Sequence, residues 1–312
     1  MFSAAIQDYP FYALLALSFF VSFRVLNFPD LALDSAYGAG MATLVRVVNV
    51  NAVTAPVTLS LLAGAGVGFM IGAILGGLYV IPRVGLNKLL AGLVVSFAVY
   101  AFNFRLNLYS VTQGLYTRRH EFNFLRTLDT PIGSGWLLCF VTVGVLVVVL
   151  VLVTALLRGR TGLYLRVAGF RPHLLIESGR RAPLYVICGL GLADSLAGAA
   201  GVLRAATDNY ADINTFGTFL VALAGLLVGE RILHGFRWYR RRAQRVMVAV
   251  LCPLLGGLVM SFLIQGSLVA LTVGSGNYYA ADIKLVVSLA VLASCVGLRR
   301  RDALMPDGTD YA

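Results

Sequence analysis

Few residues in this chain can do chemistry, and most of those that can are carboxylates set within or beside long apolar runs. Asp194 lies deepest, in GLGLADSLAGAAG; Glu230, followed by Arg231, closes another apolar run; Asp30 and Asp34 flank the start of one helix, and Asp212 and Asn214 the start of another. An ionisable side chain inside a membrane-crossing segment is costly, so it marks a solute path, a proton relay or a paired structural site. For Asp194 the structural reading is a carboxyl hydrogen-bonded within a bundle, and for Glu230 an interfacial charge pair; the sequence leaves both open. Absent chemistry narrows the field further. No GxxxxGK[ST] occurs, and Lys88 and Lys284 are the only lysines, so no phosphate-loop lysine is available and the chain is read as a non-enzyme. His120, His173 and His234 are scattered over expected loops, which argues against an intramembrane metal site and a Ser-His hydrolase. No catalytic residue, metal ligand or cofactor is therefore assigned to this chain.

The elements that must position these groups are membrane helices. Of the 312 residues 59% are hydrophobic and 12% charged, and mean hydropathy is +0.85, far more apolar than a soluble domain. Apolar segments of about 20 residues recur, each enough to cross a hydrocarbon core of about 30 Å as a helix. This predicts an all-α, polytopic bundle facing lipid, with about nine transmembrane helices in a single domain spanning residues 1–312. The net charge of +11 is nearly all arginine and reads as positive-inside loops, not nucleic-acid binding. Cys139, Cys188, Cys252 and Cys295 fall in apolar segments without metal-type spacing.

In MFSAAIQDYPFYALLALSFF no basic residue precedes the apolar run and Arg24 follows it, the reverse of a cleaved leader; a retained first helix with its N-terminus outside is expected. Pro29 ends that helix, and Asp34 or Ser35 can cap a new one. The next apolar run, Ala36 to Val48, is short for a crossing, so a discontinuous helix is expected, with an ordinary surface loop as the alternative. Further helices are expected over Thr54 to Ile81, Leu86 to Phe102, Trp136 to Leu157, Leu184 to Leu203, Ile213 to Val228, Val246 to Leu271 and Ala281 to Leu298. The third carries Gly64, Gly66, Gly68, Gly72, Gly76 and Gly77, spacing that permits close helix approach.

Orientation rests on RGRTGLYLRVAGFRPHLLIESGRRAP, residues 158–183, whose arginines place it in the cytoplasm. Pro172 and Gly179 bracket a short helix there. Leu174 and Leu175 have no evident partner in so small a loop and are expected to enter a groove on another protein, with Arg171 and Glu177 at its rim. Alternation then puts the arginines near 240 and 300 inside, including the C-terminus. The 103–135 loop, with four arginines, is the exception on the outer side.

A repeat is also legible. Asn27-Phe28-Pro29-Asp30-Leu31 and Asn209-Tyr210-Ala211-Asp212-Ile213 each precede a helix, and LNKLLAGLVVSFAV matches DIKLVVSLAVLASC two helices later. Two four-helix halves, about 10–103 and 184–298, joined through a linker and fifth helix (104–157) and the loop 158–183, would then be inverted, an architecture of transporters with broken helices.

FPDLALDSAYGAG resembles the FPDLTVDGSF-type signature of permease subunits from ABC importers of the branched-chain amino-acid type, in the branch paired with tryptophan/tyrosine-type binding proteins. LNKLLAGLVVSFAVYAFNFRL, RVAGFRPHLLIESG, GLGLADSLAGAAGVL and YADINTFGTFLVALAGLLVGE are similar to later stretches of that branch, in its order. Asn, Gln and Gly are usual where Asp194, Ala206 and Phe216 stand. The resemblance implies a homodimeric permease in a bacterial inner membrane, cytoplasmic ATPase subunits holding ATP-Mg and docked on the short helix, and an external solute-binding protein that selects an amino acid or related cargo. The other reading of the same inverted repeat is an ion-coupled secondary transporter using Asp194 or Glu230.

Overall fold

The structure, a computed structural model, describes residues 2–51, 57–81, 86–115, 134–208, 210–215, 217–234, 249–273 and 289. It is an all-helical bundle of ten helices among those residues: α1 (Phe2–Phe19), α2 (Leu33–Asn51), α3 (Val57–Val80), α4 (Lys88–Leu106), α5 (Ser134–Arg158), α6 (Arg160–Phe170), α7 (Pro172–Glu177), α8 (Ala182–Asp208), α9 (Thr218–His234) and α10 (Leu251–Val273). Among the described residues four stretches are long and apolar enough to cross a membrane: Ala5–Val25, Leu59–Val80, Lys88–Leu106 and Ala182–Asp208. A fifth is the pair Thr142–Arg158 and Arg160–Phe170, bent by 73°. The helix expected over Ala281 to Leu298, and most of the 103–135 loop, lie outside the described residues.

The break after the first helix has a local cause. α1 runs on as a π-helical turn, Phe20–Val25, and Phe28 donates its N–H to Ser22 O at 2.9 Å. Asn27 then takes a left-handed φ of 50°, which asparagine tolerates better than most residues, and Pro29 follows. α2 is longer than the apolar run suggested and starts earlier. Asp30 Oδ1 accepts the Ala32 N–H at 2.8 Å, so Asp30, and neither Asp34 nor Ser35, turns the chain into α2. That frees Asp34 and Ser35 to face other elements.

α3 lies against α8 along one glycine face. A Cβ on Gly68 would sit 2.2 Å from the Asp194 carbonyl oxygen, and one on Gly72 would sit 2.3 Å from that of Leu190. The helices meet backbone to backbone, and helix packing of this kind depends on small residues. Gly64 and Gly76 extend the same seam, whereas Gly66 and Gly77 have nothing within 4 Å of a Cβ and do not contribute. Gly40 joins it by packing on Gly198.

The 158–183 segment is more ordered than a polar loop. Gly159 separates α5 from α6, and Arg171 separates α6 from α7. Gly179, at φ 72°, follows α7 and lets the chain turn left-handed. Leu26 O lies where a Gly169 Cβ would be, so this segment packs under the break after α1. At the opposite end of α8 a strand pair forms, β1 (Thr112–Gly114) antiparallel to β2 (Tyr210–Asp212), with Gln113 opposite Ala211.

Candidate functional site

Two chain breaks from distant parts of the sequence converge on one cavity. Asn27–Leu31 lies toward the α6 end of α8 and leads up into α2. Residues 213–215 follow β2 at the other end and lead down into α9. Between them and α4 is a cavity of about 470 Å³. Leu31, Leu93, Phe97, Tyr100 and Ile213 form its apolar walls, and Asp34, Ser35, Ser96, Asn214 and Thr215 supply its polar groups.

Hydrogen bonds fix those polar groups. Asp34 Oδ2 accepts the Gly217 N–H at 3.0 Å, and Thr215 Oγ1 donates to Asp34 O at 2.8 Å. Asp34 thus helps hold the start of α9 from the first turn of α2, 183 residues away. It is a cap, but of the other helix. A carboxylate just ahead of a helix N-terminus is favourable, since the unpaired N–H groups carry partial positive charge. Ser35 Oγ donates to Ser96 O at 2.9 Å and lies 2.7 Å from Ser96 Oγ; Asn103 Nδ2 donates to Ser35 O at 2.9 Å. These bonds tie α2 to α4. Asp212 Oδ1 accepts the Asn214 N–H at 2.9 Å, a local turn that aims Asn214 and Thr215 toward the cavity. Ile213 N donates to Val111 O at 3.0 Å, anchoring the same turn to the segment before β1.

The other sequence candidates lie elsewhere. Asp30 and Asp194 are fully buried and lie beside each other, which brings the chain break next to the middle of α8, and Asp30 Oδ2 and both Asp194 carboxyl oxygens have no hydrogen-bond partner among the described residues. Glu230 forms a bidentate pair with Arg24, whose Nε donates to Oε1 at 2.6 Å, and this joins α9 to the π-helical turn. On α7 the two leucines part company. Leu175 is only 3% exposed and packs with Ala168 and Ala182, while Leu174 is 50% exposed and Ile176 59%. The expectation of two outward leucines is corrected: helical spacing turns 174 outward and 175 inward, and the second outward apolar residue is Ile176. Arg171, Glu177 and Gly179 flank this face.

The family model described as "Branched-chain amino acid transport system / permease component" matches residues 1–295. The chain belongs to this family. It is a multi-pass membrane permease component, not itself an enzyme. The permease is 31% identical over 223 residues to an uncharacterized protein of Rickettsia prowazekii (strain Madrid E), covering 70% of this chain and 72% of the relative. It is 24% identical over 282 residues to the tyrosine transport system permease protein of Clostridioides difficile (strain R20291), covering 90% of this chain and 85% of the relative. No solved structure matches. Members of this family work in general with ATPase and solute-binding partners.

Sequence reasoning passed over a second polar centre of the permease. Arg204 on α8 donates from Nη1 to Asp8 Oδ1 and from Nε to Asp208 Oδ2, both at 2.6 Å, and stacks 5.5 Å from the Phe11 ring. Gln265 Nε2 completes it by donating to Asp8 Oδ2 at 2.5 Å, so α1, α8 and α10 are joined near the β2 end. Arg204 and Asp208 at i,i+4 were a legible signal. The partners from α1 and α10 were not, since nothing in their spacing relates them.

Proposed function

We propose that this chain is the transmembrane permease subunit of an ATP-driven importer and that the cavity between α2, α4 and residues 213–215 belongs to its translocation path. The observation that carries this reading is α7. It holds a buried leucine against its own loop and turns Leu174 and Ile176 outward at a bundle end rich in arginine. Exposed aliphatic side chains on an anchored short helix suit a groove on a water-soluble partner, and the absence of a nucleotide loop in this chain requires that partner to hold ATP-Mg. Arg171 and Glu177 would make the rim contacts, with Pro172 and Gly179 setting the ends of the helix. The chain binds no cofactor itself. The cargo is an amino acid or a related small solute, as the name of the Clostridioides difficile relative suggests, delivered by an external solute-binding protein. Two copies form the path in a bacterial inner membrane, each built of two inverted four-helix halves, with the N-terminus outside and the arginine segments inside. An ion-coupled reading is less favoured because Arg24 occupies Glu230.

Purification of the tagged full chain from its native host tests the reading. An ATPase should copurify, and its hydrolysis should be stimulated by loaded binding protein. Leu174→Asp should remove that stimulation, leaving insertion and thermal unfolding unchanged, because the side chain is already exposed. Normal stimulation in that variant, or no ATPase in the purified complex, would overturn the assignment.

A further inference from the structure

One helix of the 158–183 segment turns outward an apolar stripe that the permease reading leaves unused. α6 buries Gly162, Leu165 and Ala168 against the bundle. On its opposite face Leu163 is 58% exposed and Phe170 60%, with the half-buried Val167 between them. Their spacing of i, i+4 and i+7 puts the three on one stripe. A step of three residues falls about 60° short of a full helical turn, so Arg160 and Arg166, three residues before and after Leu163, flank that stripe on opposite edges. Arg160 is exposed and Arg166 half-buried.

The place of α6 in the bundle says what lies outside the stripe. It leaves α5 at an angle of 73°, so with α5 crossing the membrane its 11 residues run for about 16 Å nearly along the membrane plane. It also lies beside the first turns of α8. The Tyr164 ring is 5.3 Å from that of Tyr185, and a Cβ on Gly189 would sit 2.9 Å from Leu165 Cδ2. Since α8 is apolar enough to cross the membrane from Ala182 onward, α6 is level with the edge of that crossing and not beyond it. Arg180 stacks 4.8 Å from the Tyr164 ring, and such amphipathic rings favour the headgroup level. The segment 158–183 carries six arginines against one carboxylate, Glu177. Arginines beside an apolar face lay their stems along it and hold the guanidinium in the polar layer, where it pairs well with phosphate.

We infer that α6 is an interfacial helix that binds anionic phospholipid: Leu163, Val167 and Phe170 enter the boundary of the acyl chains, and Arg160 and Arg166 hold headgroup phosphates on either side of them. The excess of arginine selects lipids of net negative charge over zwitterionic ones. Only Gly159 separates α6 from α5, and only Arg171 separates it from α7. A lipid held on α6 therefore sets the angle of this elbow and, through it, the way α7 is presented. This site is independent of the solute path and of any ATPase.

The test is fluorescence quenching in the full chain, with Trp136→Phe and Trp238→Phe removing the native signal and a single reporter placed by Leu163→Trp on α6 or, as a control, Leu174→Trp on α7. The protein is reconstituted in vesicles whose lipid is brominated in the upper acyl chain. In brominated phosphatidylcholine the Leu163→Trp protein should lose about half of its emission, and the Leu174→Trp protein little. With only a minor component brominated in plain phosphatidylcholine, phosphatidylglycerol should quench the α6 reporter about twofold more than phosphatidylcholine does. Arg160→Gln with Arg166→Gln should erase that preference and leave thermal unfolding unchanged, and millimolar inorganic phosphate should not reduce it. Loss of the preference in phosphate would mean a site for free anions. An α6 reporter that is unquenched, and shielded only when ATPase is added, would mean a protein surface. Either result, equal quenching at both positions, or equal quenching by both lipids would overturn the inference. Should the double arginine variant fail to fold, the comparison of the two lipids on the Leu163→Trp protein decides alone. ATPase copurification judges the permease reading separately, so failure here leaves that reading standing.

Discussion

The seam between α3 and α8 and the cavity between α2 and α4 both lie within the same bundle, and they are built on opposite principles. Along the seam, glycines bring backbones together so closely that a single methyl group has no space, as at Gly68 and Gly72. Around the cavity, α2 and α4 pack beside a volume lined by Leu93, Phe97 and Tyr100, and the Ser35, Ser96 and Asn103 hydrogen bonds tie the two helices together. Lipid offers helices no hydrophobic incentive to associate, so tight packing must come from shape. The seam has that shape and cannot move without losing contacts on every turn. The cavity side is tied by directional bonds around an open volume, and both broken chain segments end there. Rigidity is thus placed beside the site, and adaptability within it.

Breaking the seam should have the largest effect. Gly68→Val forces a branched side chain into backbone on α8; overpacking costs about 1–3 kcal/mol where neighbours can shift, and carbonyl atoms of a helix shift little, so the loss should reach about 3 kcal/mol. Thermal unfolding and yield of membrane-inserted protein should both fall sharply. Gly66→Val, two residues away and facing open space, should leave both unchanged. Equal behaviour of the two variants would remove the seam from the account.

The Asp30–Asp194 link comes next in size. Asp194→Ala strands a buried carboxyl, at a cost of about 1–3 kcal/mol for an unsatisfied polar group. Asp194→Asn supplies an amide donor toward the neighbouring Asp30 carboxyl and should unfold near the wild-type temperature. A destabilised Asn variant beside a normal Ala variant would show that the two carboxyls do not meet. The smallest effect belongs to Arg24→Met. Its pair with Glu230 is bidentate but the arginine is 45% exposed, and exposed ion pairs contribute about 0–1 kcal/mol. A slight fall in thermal stability, fading as salt is raised, is expected; a large salt-independent loss would mean that the pair locks α9 to α1.

The contrast between seam and cavity also marks what the sequence could tell. Helices read well because apolar length alone defines them, and the Pro172 and Gly179 punctuation located α7 to within a residue. The glycine run of α3 announced close packing, yet only the helix phase separates Gly68, in contact, from Gly66, in the open. The candidate carboxylates were all visible, Asp194 as a charge deep in an apolar run, Glu230 at the end of one, and Asp30, Asp34 and Asp212 at helix starts. Their partners were not, because Asp34 with Gly217, Asp30 with Asp194, Glu230 with Arg24 and Arg204 with Asp8 each join residues more than 160 positions apart. A local cap was the natural expectation for Asp34, and only the fold brings the start of α9 to it.

The central claim, that solute passes by the α2–α4 cavity and not by the α3–α8 seam, is tested most directly by single cysteines at Ser96 and Ala193, each in a background with the four native cysteines replaced by serine. Transport would be followed before and after treatment with a small, membrane-impermeant methanethiosulfonate in intact cells. The Ser96→Cys protein should react and lose transport, with protection by excess cargo, and the Ala193→Cys protein should neither react nor change. Full transport after complete modification at position 96, or solute-protected inhibition at position 193, would contradict it.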